Sequence, residues 1–154
     1  MTGPAAPQMG VPAPDQVDQL PTRAQAQPAV LWVLGAHGGA GESTLSTLDS
    51  GWKAAGRAWP LVQAVEPAQV LVVARTHVSG LTAAKAVSKQ WAAGLVPSVT
   101  LLGLVLVADA PGRLPKPLRD LARVVAGGYP RLWQLPWIEA WRLGEGAVNS
   151  GPRE

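Results

Sequence analysis

Residues 31 to 48, LWVLGAHGGAGESTLSTL, decide the fold. They begin with an apolar run of strand length and continue into a loop that has glycine at positions 35, 38, 39 and 41. Hydroxyl residues and leucines at helical spacing follow. A strand, a glycine-rich turn and a helix in this order are typical of a loop whose main-chain N–H groups surround a phosphate at the start of the helix. The stretch predicts an α/β fold with an anion-binding turn.

Apolar runs and amphipathic segments alternate through the rest of the chain, which predicts a mostly parallel sheet with helices on both faces. In the predicted helix after the loop, Leu45, Leu48, Trp52 and Ala55 fall on one stripe. The expected fold class is an α/β three-layer sandwich whose ligand crevice lies at the carboxyl ends of the strands. Strands are predicted over residues 29–34, 57–63, 69–75, 100–108 and 131–135, and helices over residues 43–55, 80–93 and 115–126, with a C-terminal helical turn that carries Trp137 and Trp141.

The two ends of the chain differ in composition from its centre. Residues 1–28 hold six of the fifteen prolines and few large apolar side chains, so burial cannot offset the entropy of ordering them. We therefore expect a disordered Pro/Ala/Gln-rich tail over residues 1–28, one domain over residues 29–145, and a disordered C-terminal tail over residues 146–154.

Composition excludes several classes of function. Cysteine is absent and the two histidines are separated by other residues, so disulfide frameworks, cysteine nucleophiles and zinc sites of the usual spacing are excluded. The longest mainly apolar run, residues 99–108, is shorter than the roughly 18 residues of a membrane-spanning helix. Prolines interrupt the N-terminus, which lacks the pattern of a secretory signal. A cytoplasmic location is expected, and the net charge of +3 permits an acidic partner without requiring one.

Residues 36–44 read A-H-G-G-A-G-E-S-T, and Gly41 and Ser43 coincide with the second glycine and the hydroxyl of a general phosphate loop. In this spacing the chain resembles the MinD/ParA family of deviant Walker A ATPases, whose motif is K-G-G-x-G-K-[ST]-[ST]. The segments AQVLVVARTHVSGLTAAKAV, LLGLVLVADAPG and RLWQLPW are similar to later strands and helices of that family. The resemblance implies a reduced P-loop NTPase-like fold with a nucleotide site at His37, Gly38, Gly39, Ala40, Gly41, Glu42, Ser43 and Thr44.

The chain differs from that family at the positions that bind and hydrolyse the nucleotide. His37 and Glu42 stand at the positions of the two motif lysines, and the segment that would carry the Walker B aspartate is missing. Replacing a lysine by Glu42 exchanges an attraction for a repulsion, each about 4 kcal/mol at 4 Å and an effective dielectric of 20. Glu42 also suits a helix N-terminus in the absence of any ligand. We therefore expect no bound cofactor and no metal site, with ATP and Mg²⁺ as the alternative.

The resemblance leaves two functional hypotheses. The first is a noncatalytic scaffold or adaptor that binds a protein partner in a partition, DNA-transfer or positioning system. The alternative is an atypical ATPase in which Arg75, at the carboxyl end of a predicted strand, or a partner's residue replaces the missing lysine. A dinucleotide site is less well supported, because Gly39-Ala40-Gly41 is followed by Thr44 and does not complete G-x-G-x-x-G.

Other polar residues have both a functional and an ordinary explanation. Lys116, Arg119 and Arg123 form a basic helical stripe that could contact nucleic acid, although Asp120 interrupts it and solvated faces often have this pattern. His37 either contacts a ligand or is solvated. Asp109, after a central strand, either caps the next loop or binds a cation. A dimer is compatible with the sequence.

Overall fold

The structure is a computed structural model, and it describes residues 3–137. A short 3-10 helix at Gln16–Asp18 precedes the regular elements. In chain order these are β1 (Thr22–Gln25), β2 (Leu31–Gly35), α1 (Glu42–Ser46), β3 (Trp52–Gly56), β4 (Trp59–Val62), β5 (Ala68–Arg75), α2 (Val78–Ala92), β6 (Val99–Val107), α3 (Lys116–Ala126) and β7 (Leu132–Leu135).

Five strands form one parallel sheet in the order β3-β2-β5-β6-β7, and β1 and β4 form a separate parallel pair. Helix α1 packs on one face of the main sheet, while α2 and α3 pack on the other. This arrangement confirms the predicted α/β class and the mostly parallel sheet. Within the described residues, no helix is long and apolar enough to cross a membrane.

The core has two parts because successive side chains of a strand point to opposite faces of the sheet. Leu34 and Val72 belong to the larger part, where they meet Leu81 and Trp91 of α2. Alternating residues such as Val33 and Val73 form the smaller part with Leu45 of α1. The strands at the centre are therefore apolar on both faces, as expected for a covered parallel sheet.

The predicted helix over residues 43–55 is wrong beyond its first turn. Helix α1 ends at Ser46, and residues 52–56 form strand β3. The hydroxyls of Ser46 and Thr47 donate back to the carbonyls of residues 43 and 44, and Asp49 accepts a hydrogen bond from the N–H of Gly51. These local bonds offer the chain a turn in place of further helix. Leu48, part of the predicted apolar stripe, is 40% exposed.

The N-terminal region and the predicted strand over residues 57–63 also differ from expectation. Residues 22–25 lie in the predicted disordered tail, and disorder is the wrong expectation for them because they form β1 and pair with β4. Strand β4 covers only residues 59–62 and lies outside the main sheet, in a two-stranded pair where Pro60 is at an edge. Main-chain pairing, which apolar content does not report, accounts for the missed strand. The domain boundaries at residues 29 and 145 stay predictions.

The remaining elements lie within two residues of their predicted bounds. His77 caps α2, with its side chain accepting a hydrogen bond from the N–H of Gly80. Trp137 lies outside regular secondary structure, and the predicted C-terminal helical turn with Trp141 falls outside the described residues.

Candidate functional site

The glycine loop lies at the point where the order of the strands in the sheet reverses. From β2 the chain passes to β3 on one side, whereas β5 pairs with β2 on the other side. In open α/β sheets, ligands bind outside the carboxyl ends of the strands at such a switch point. Residues 36–41 follow β2 there, and Arg75 ends the neighbouring β5.

The glycine loop leads directly into the N-terminus of α1. Gly39 and Gly41 have φ angles of 75° and 105°, a left-handed region in which glycine carries no steric penalty. The N–H groups of Glu42, Ser43 and Thr44 precede the first main-chain bond of α1, which runs from the N–H of Leu45 to the carbonyl oxygen of Gly41. Successive free N–H groups around left-handed residues form a concavity that suits an anion. The left-handed glycines and the start of α1 thus lie together in this loop, and phosphate binding there stays a prediction.

His37 joins this loop to the end of β5. Its Nε2 accepts a hydrogen bond of 3.0 Å from the N–H of Arg75, and its Nδ1 lies 2.9 Å from the carbonyl oxygen of Gly38. Nδ1 is thus the donor, and the ring is in the neutral Nδ1–H form. Burial lowers the pKa of His37 and outweighs the hydrogen bond to Gly38 and the charge of Glu42, which act in the opposite direction. Of its two sequence-based interpretations, the solvated side chain does not describe this half-buried ring.

Arg75 also bonds to the main chain of neighbouring loops. Its Nε donates to the carbonyl oxygen of Gly39 at 2.9 Å, and its Nη1 lies 3.4 Å from the carbonyl oxygen of Ala108. The other terminal nitrogen approaches Gly41, since a Cβ placed there would lie 3.9 Å from Nη2. The guanidinium thus lies at the mouth of the glycine loop, as its position at the end of the strand predicts.

Glu42 is turned back toward the end of β2. A Cβ placed on Gly35 would lie 2.5 Å from Oε1 of Glu42 and 3.4 Å from Oε2, so the carboxylate lies directly beside that glycine. Within residues 3–137, the salt bridges are Lys116–Asp120 and Arg123–Asp120, and neither includes Glu42. An acidic group without a paired cation therefore lies beside the loop that would receive a phosphate.

Three residues at this site were not predicted from the sequence. The rings of His77 and His37 have centroids 5.0 Å apart, and Gly80 lies against both rings. Arg57 approaches the other side of the loop, because a Cβ on Gly38 would lie 3.9 Å from its Nη1. The position of His77, two residues beyond Arg75 at the start of a predicted helix, was the available signal.

One open pocket adjoins the glycine loop, and a second lies farther along the same edge of the sheet. One of about 790 Å³ is bordered by His37, Arg57 and Ser79, and by Val17 and Asp18 of the N-terminal region. The other, of about 630 Å³, lies at the ends of β6 and β7 and includes Thr76, Asp109, Arg113 and Gln134. No group of three or more His, Asp or Glu side chains among the described residues could hold a metal ion.

The predicted basic stripe lies on α3, apart from the glycine loop. Lys116 Nζ is 2.8 Å from an oxygen of Asp120, and Arg123 is 3.8 Å from the other oxygen. Arg119 is partly buried and lines a separate pocket of about 530 Å³. Two of the three cations thus share one carboxylate, which weakens the stripe as an electrostatic surface for nucleic acid.

Comparison with known proteins gives a family but no function. Residues 29–153 match the model of a family described as a family of unknown function, DUF6668. Because this match covers most of the chain, the protein belongs to that family. No curated protein and no solved structure shows a significant match.

Proposed function

We propose that this DUF6668 member is a noncatalytic P-loop-like protein of the MinD/ParA type. It acts as a cytoplasmic scaffold or adaptor for a protein partner, and the process is partition, DNA transfer or positioning, a context that rests on the resemblance of the glycine loop. The observation that carries the noncatalytic assignment is the position of the Glu42 carboxylate beside Gly35.

The sign of the charge opposes a triphosphate. A carboxylate about 4 Å from a phosphate charge costs about 4 kcal/mol at an effective dielectric of 20. Each favourable term from a helix N-terminus is typically about 0.3 to 1 kcal/mol at an exposed site. Several main-chain donors acting together would only balance Glu42, so net affinity for a triphosphate is expected to be low.

The neighbouring polar side chains already have partners. His37 is occupied by the N–H of Arg75 and the carbonyl of Gly38, and Arg75 is occupied by the carbonyl of Gly39. Recruiting the ring of His37 to a nucleotide would break a hydrogen bond that holds the loop against β5. These contacts support a structural use of the loop, because the groups that could stabilise transferred charge stabilise the fold instead.

The alternative is a nucleotide-binding ATPase that uses Arg75 as its cation. One observation favours it specifically: Nη2 of Arg75 lies near Gly41, the residue that precedes the first turn of α1. An arginine at this position could contact a phosphate with this nitrogen while Nε keeps its bond to Gly39. The two proposed functions therefore differ in whether the positive charge of Arg75 or the negative charge of Glu42 dominates the electrostatic potential at the glycine loop.

Titration of labelled ATP with Mg²⁺ separates them. We expect no saturable binding by the wild type, and a gain of binding by Glu42→Lys, which restores the charge that the loop lacks. Glu66→Lys is the matched control, since Glu66 is exposed and lies outside the loop, so it makes the same change in net charge. Micromolar binding by the wild type would contradict the proposal, and its loss in Arg75→Ala would establish the alternative.

A further inference from the structure

Residues 3–25, which we call the N-terminal strap, form hydrogen bonds with α2 and with β4. The strap precedes the region that matches the family, which begins at residue 29. The N–H of Gln8 donates to the carbonyl oxygen of Ala92 at the end of α2. Val11 and Leu20 pack at the margin of the larger core. The strap is thus an ordered addition to the family domain.

Gln90 of α2 binds the main chain of the strap. Its Nε2 donates to the carbonyl oxygen of Leu20, and its Oε1 accepts from the N–H of Leu20, both at 2.9 Å. The side chain is nearly buried, with 4% of the residue exposed. A buried amide that satisfies both main-chain groups of one residue recognises an extended backbone, and it does so without reading the side chain. Gln90 is therefore built to hold a strand-like segment.

The contacts continue from Leu20 into β1. The N–H of Trp59 donates to the carbonyl oxygen of Pro21, and residues 22–25 then pair in parallel register with residues 59–62. Thr22, Arg23 and Ala24 are exposed, so main-chain pairing and not burial of side chains holds β1 in place. Within the described residues β1 is the strand that pairs with β4. Pairing of an extended segment with an exposed strand is a general mode of peptide binding.

The contacts of the strap do not require that it come from the same chain. A second copy carries the same segment, so every hydrogen bond to Gln90, Ala92 and β4 can form between two chains. Only residues 26–30 connect the strap to β2, and Pro28 favours an extended conformation at residue 27. Five extended residues span at most about 17 Å. Protein concentration and this short connection therefore set the balance between the two arrangements.

We propose that the Gln90–β4 groove is a docking site for an extended segment, and that the strap of a second copy occupies it in a strand-exchanged dimer. The inference rests on the proposed adaptor function, because it supplies the means by which such a protein joins two chains. In the dimer, Val17 and Asp18 of one copy border the pocket beside His37 of the other.

Cysteine cross-linking tests the exchange, and the natural chain contains no cysteine. Ala24 and Leu61 are partners in the β1–β4 register, and both are exposed. The doubly substituted chain, Ala24→Cys with Leu61→Cys, should close a disulfide within itself and establishes that the strap is seated as described. For exchange, Ala24→Cys and Leu61→Cys chains of different mass are unfolded together in urea, refolded at low and high protein concentration, and oxidised.

We expect a mixed disulfide between the two chains that increases with protein concentration. The control pairs Ala24→Cys with Glu66→Cys, an exposed position outside the register. The excess over the control should be on the order of tenfold, because seating raises the effective concentration of the two thiols to about millimolar. A mixed disulfide no more abundant than the control at the highest concentration would overturn the proposal, as would failure of the double variant to close.

Wild-type chains refolded at high concentration and separated by size give a second measurement without substitutions. A dimer fraction that grows with refolding concentration is expected, and a monomer throughout would overturn the proposal. Neither result depends on nucleotide. ATP binding by the wild type would therefore contradict the noncatalytic function and leave the strand-exchanged dimer standing. A wild type that stays monomeric would contradict the strand-exchanged dimer and leave the noncatalytic function standing.

Discussion

Replacement of Gly80 by alanine tests the packing behind the glycine loop. Gly80 is buried in the first turn of α2. A Cβ at this position would lie 2.5 Å from the carbonyl oxygen of Arg75, 2.9 Å from Nε2 of His37 and 2.9 Å from Cε1 of His77. Carbon atoms normally stay about 3.5 Å or more from such neighbours. The methyl group would therefore displace both the end of β5 and the ring that holds the loop.

Two effects of opposite sign determine the change in the free energy of unfolding. Alanine is favoured over glycine within a helix by about 1 kcal/mol. Overpacking in a well-packed interior costs typically about 1 to 3 kcal/mol, and here one of the contacts is main chain, which moves least easily. We expect the clash to prevail, with a net destabilisation of about 1 to 2 kcal/mol. For a chain of this size that lowers Tm by roughly 2 to 8 °C.

Urea and thermal unfolding followed by tryptophan fluorescence measure this difference, since the chain has seven tryptophans. Thr82→Ala is the control, because Thr82 is exposed in the same helix and its replacement should change stability by no more than about 0.5 kcal/mol. A Gly80→Ala protein as stable as the wild type, or more stable, would refute the close packing of His37, His77 and Arg75 described above.

Two further predictions concern pH. Burial raises the pKa of Tyr129, whose hydroxyl donates to the carbonyl of Ala84 at 2.7 Å. The contribution of Tyr129 to the free energy of unfolding is therefore complete below about pH 10. Above that pH the tyrosine ionises in the unfolded chain first, and the contribution is lost at about 1.4 kcal/mol per pH unit. Urea titrations from pH 9 to 11 should show this slope in the wild type, and an equal slope in Tyr129→Phe would contradict it. Burial lowers the pKa of His37, so the unfolded chain takes up its proton first and stability falls as pH decreases below about 6.5. His37→Asn should reduce this acid sensitivity in urea titrations at pH 5 and 7, and an unchanged sensitivity would assign it to other groups.

Continuous apolar runs made the sheet predictable. Strands β5 and β6 are buried on both faces, and their predicted bounds differ from the observed ones by one residue. The helical periodicity of apolar residues gave a wrong prediction over residues 47–55, where local side-chain hydrogen bonds favour a turn. Leu45, Trp52 and Ala55 fit a helical stripe, yet a turn at Asp49 precedes β3. Strand β3 buries Ala55 in the larger part of the core, whereas Leu45 lies in the smaller part. Periodicity alone does not report such a turn.

The strap was missed for a different reason. Prediction of disorder from low apolar content assumes that burial of side chains is what orders a segment. Here Gln90 satisfies the main chain of Leu20, and β4 pairs with residues 22–25. Neither contribution can be read from the composition of the segment. A glutamine on the apolar face of a predicted helix was the available signal.

The candidate site was predictable in its location more than in its chemistry. The sequence placed the glycine loop and Arg75 at the same edge of the sheet, and the structure brings them within hydrogen-bond distance. The Glu42 side chain lies beside Gly35 of the same motif, and spacing alone does not give its direction. The proximity of His77 to His37 depends on packing between elements far apart in sequence. Such contacts are set by the crossing of α2 over the sheet, which spacing within the motif does not specify.

Packing and backbone conformation alone explain why glycine stands at several positions of the site, so the glycines are weak evidence for a ligand. Gly35 leaves room for the Glu42 carboxylate, and Gly80 leaves room for the two histidine rings. Gly41 begins α1 in a left-handed conformation. Each requirement persists in the absence of phosphate, so a glycine-rich turn is retained whether or not a nucleotide binds. The glycines therefore do not distinguish an ATPase from a scaffold. The charge of residue 42 does, because a lysine or a glutamate in the same geometry reverses the field at the loop.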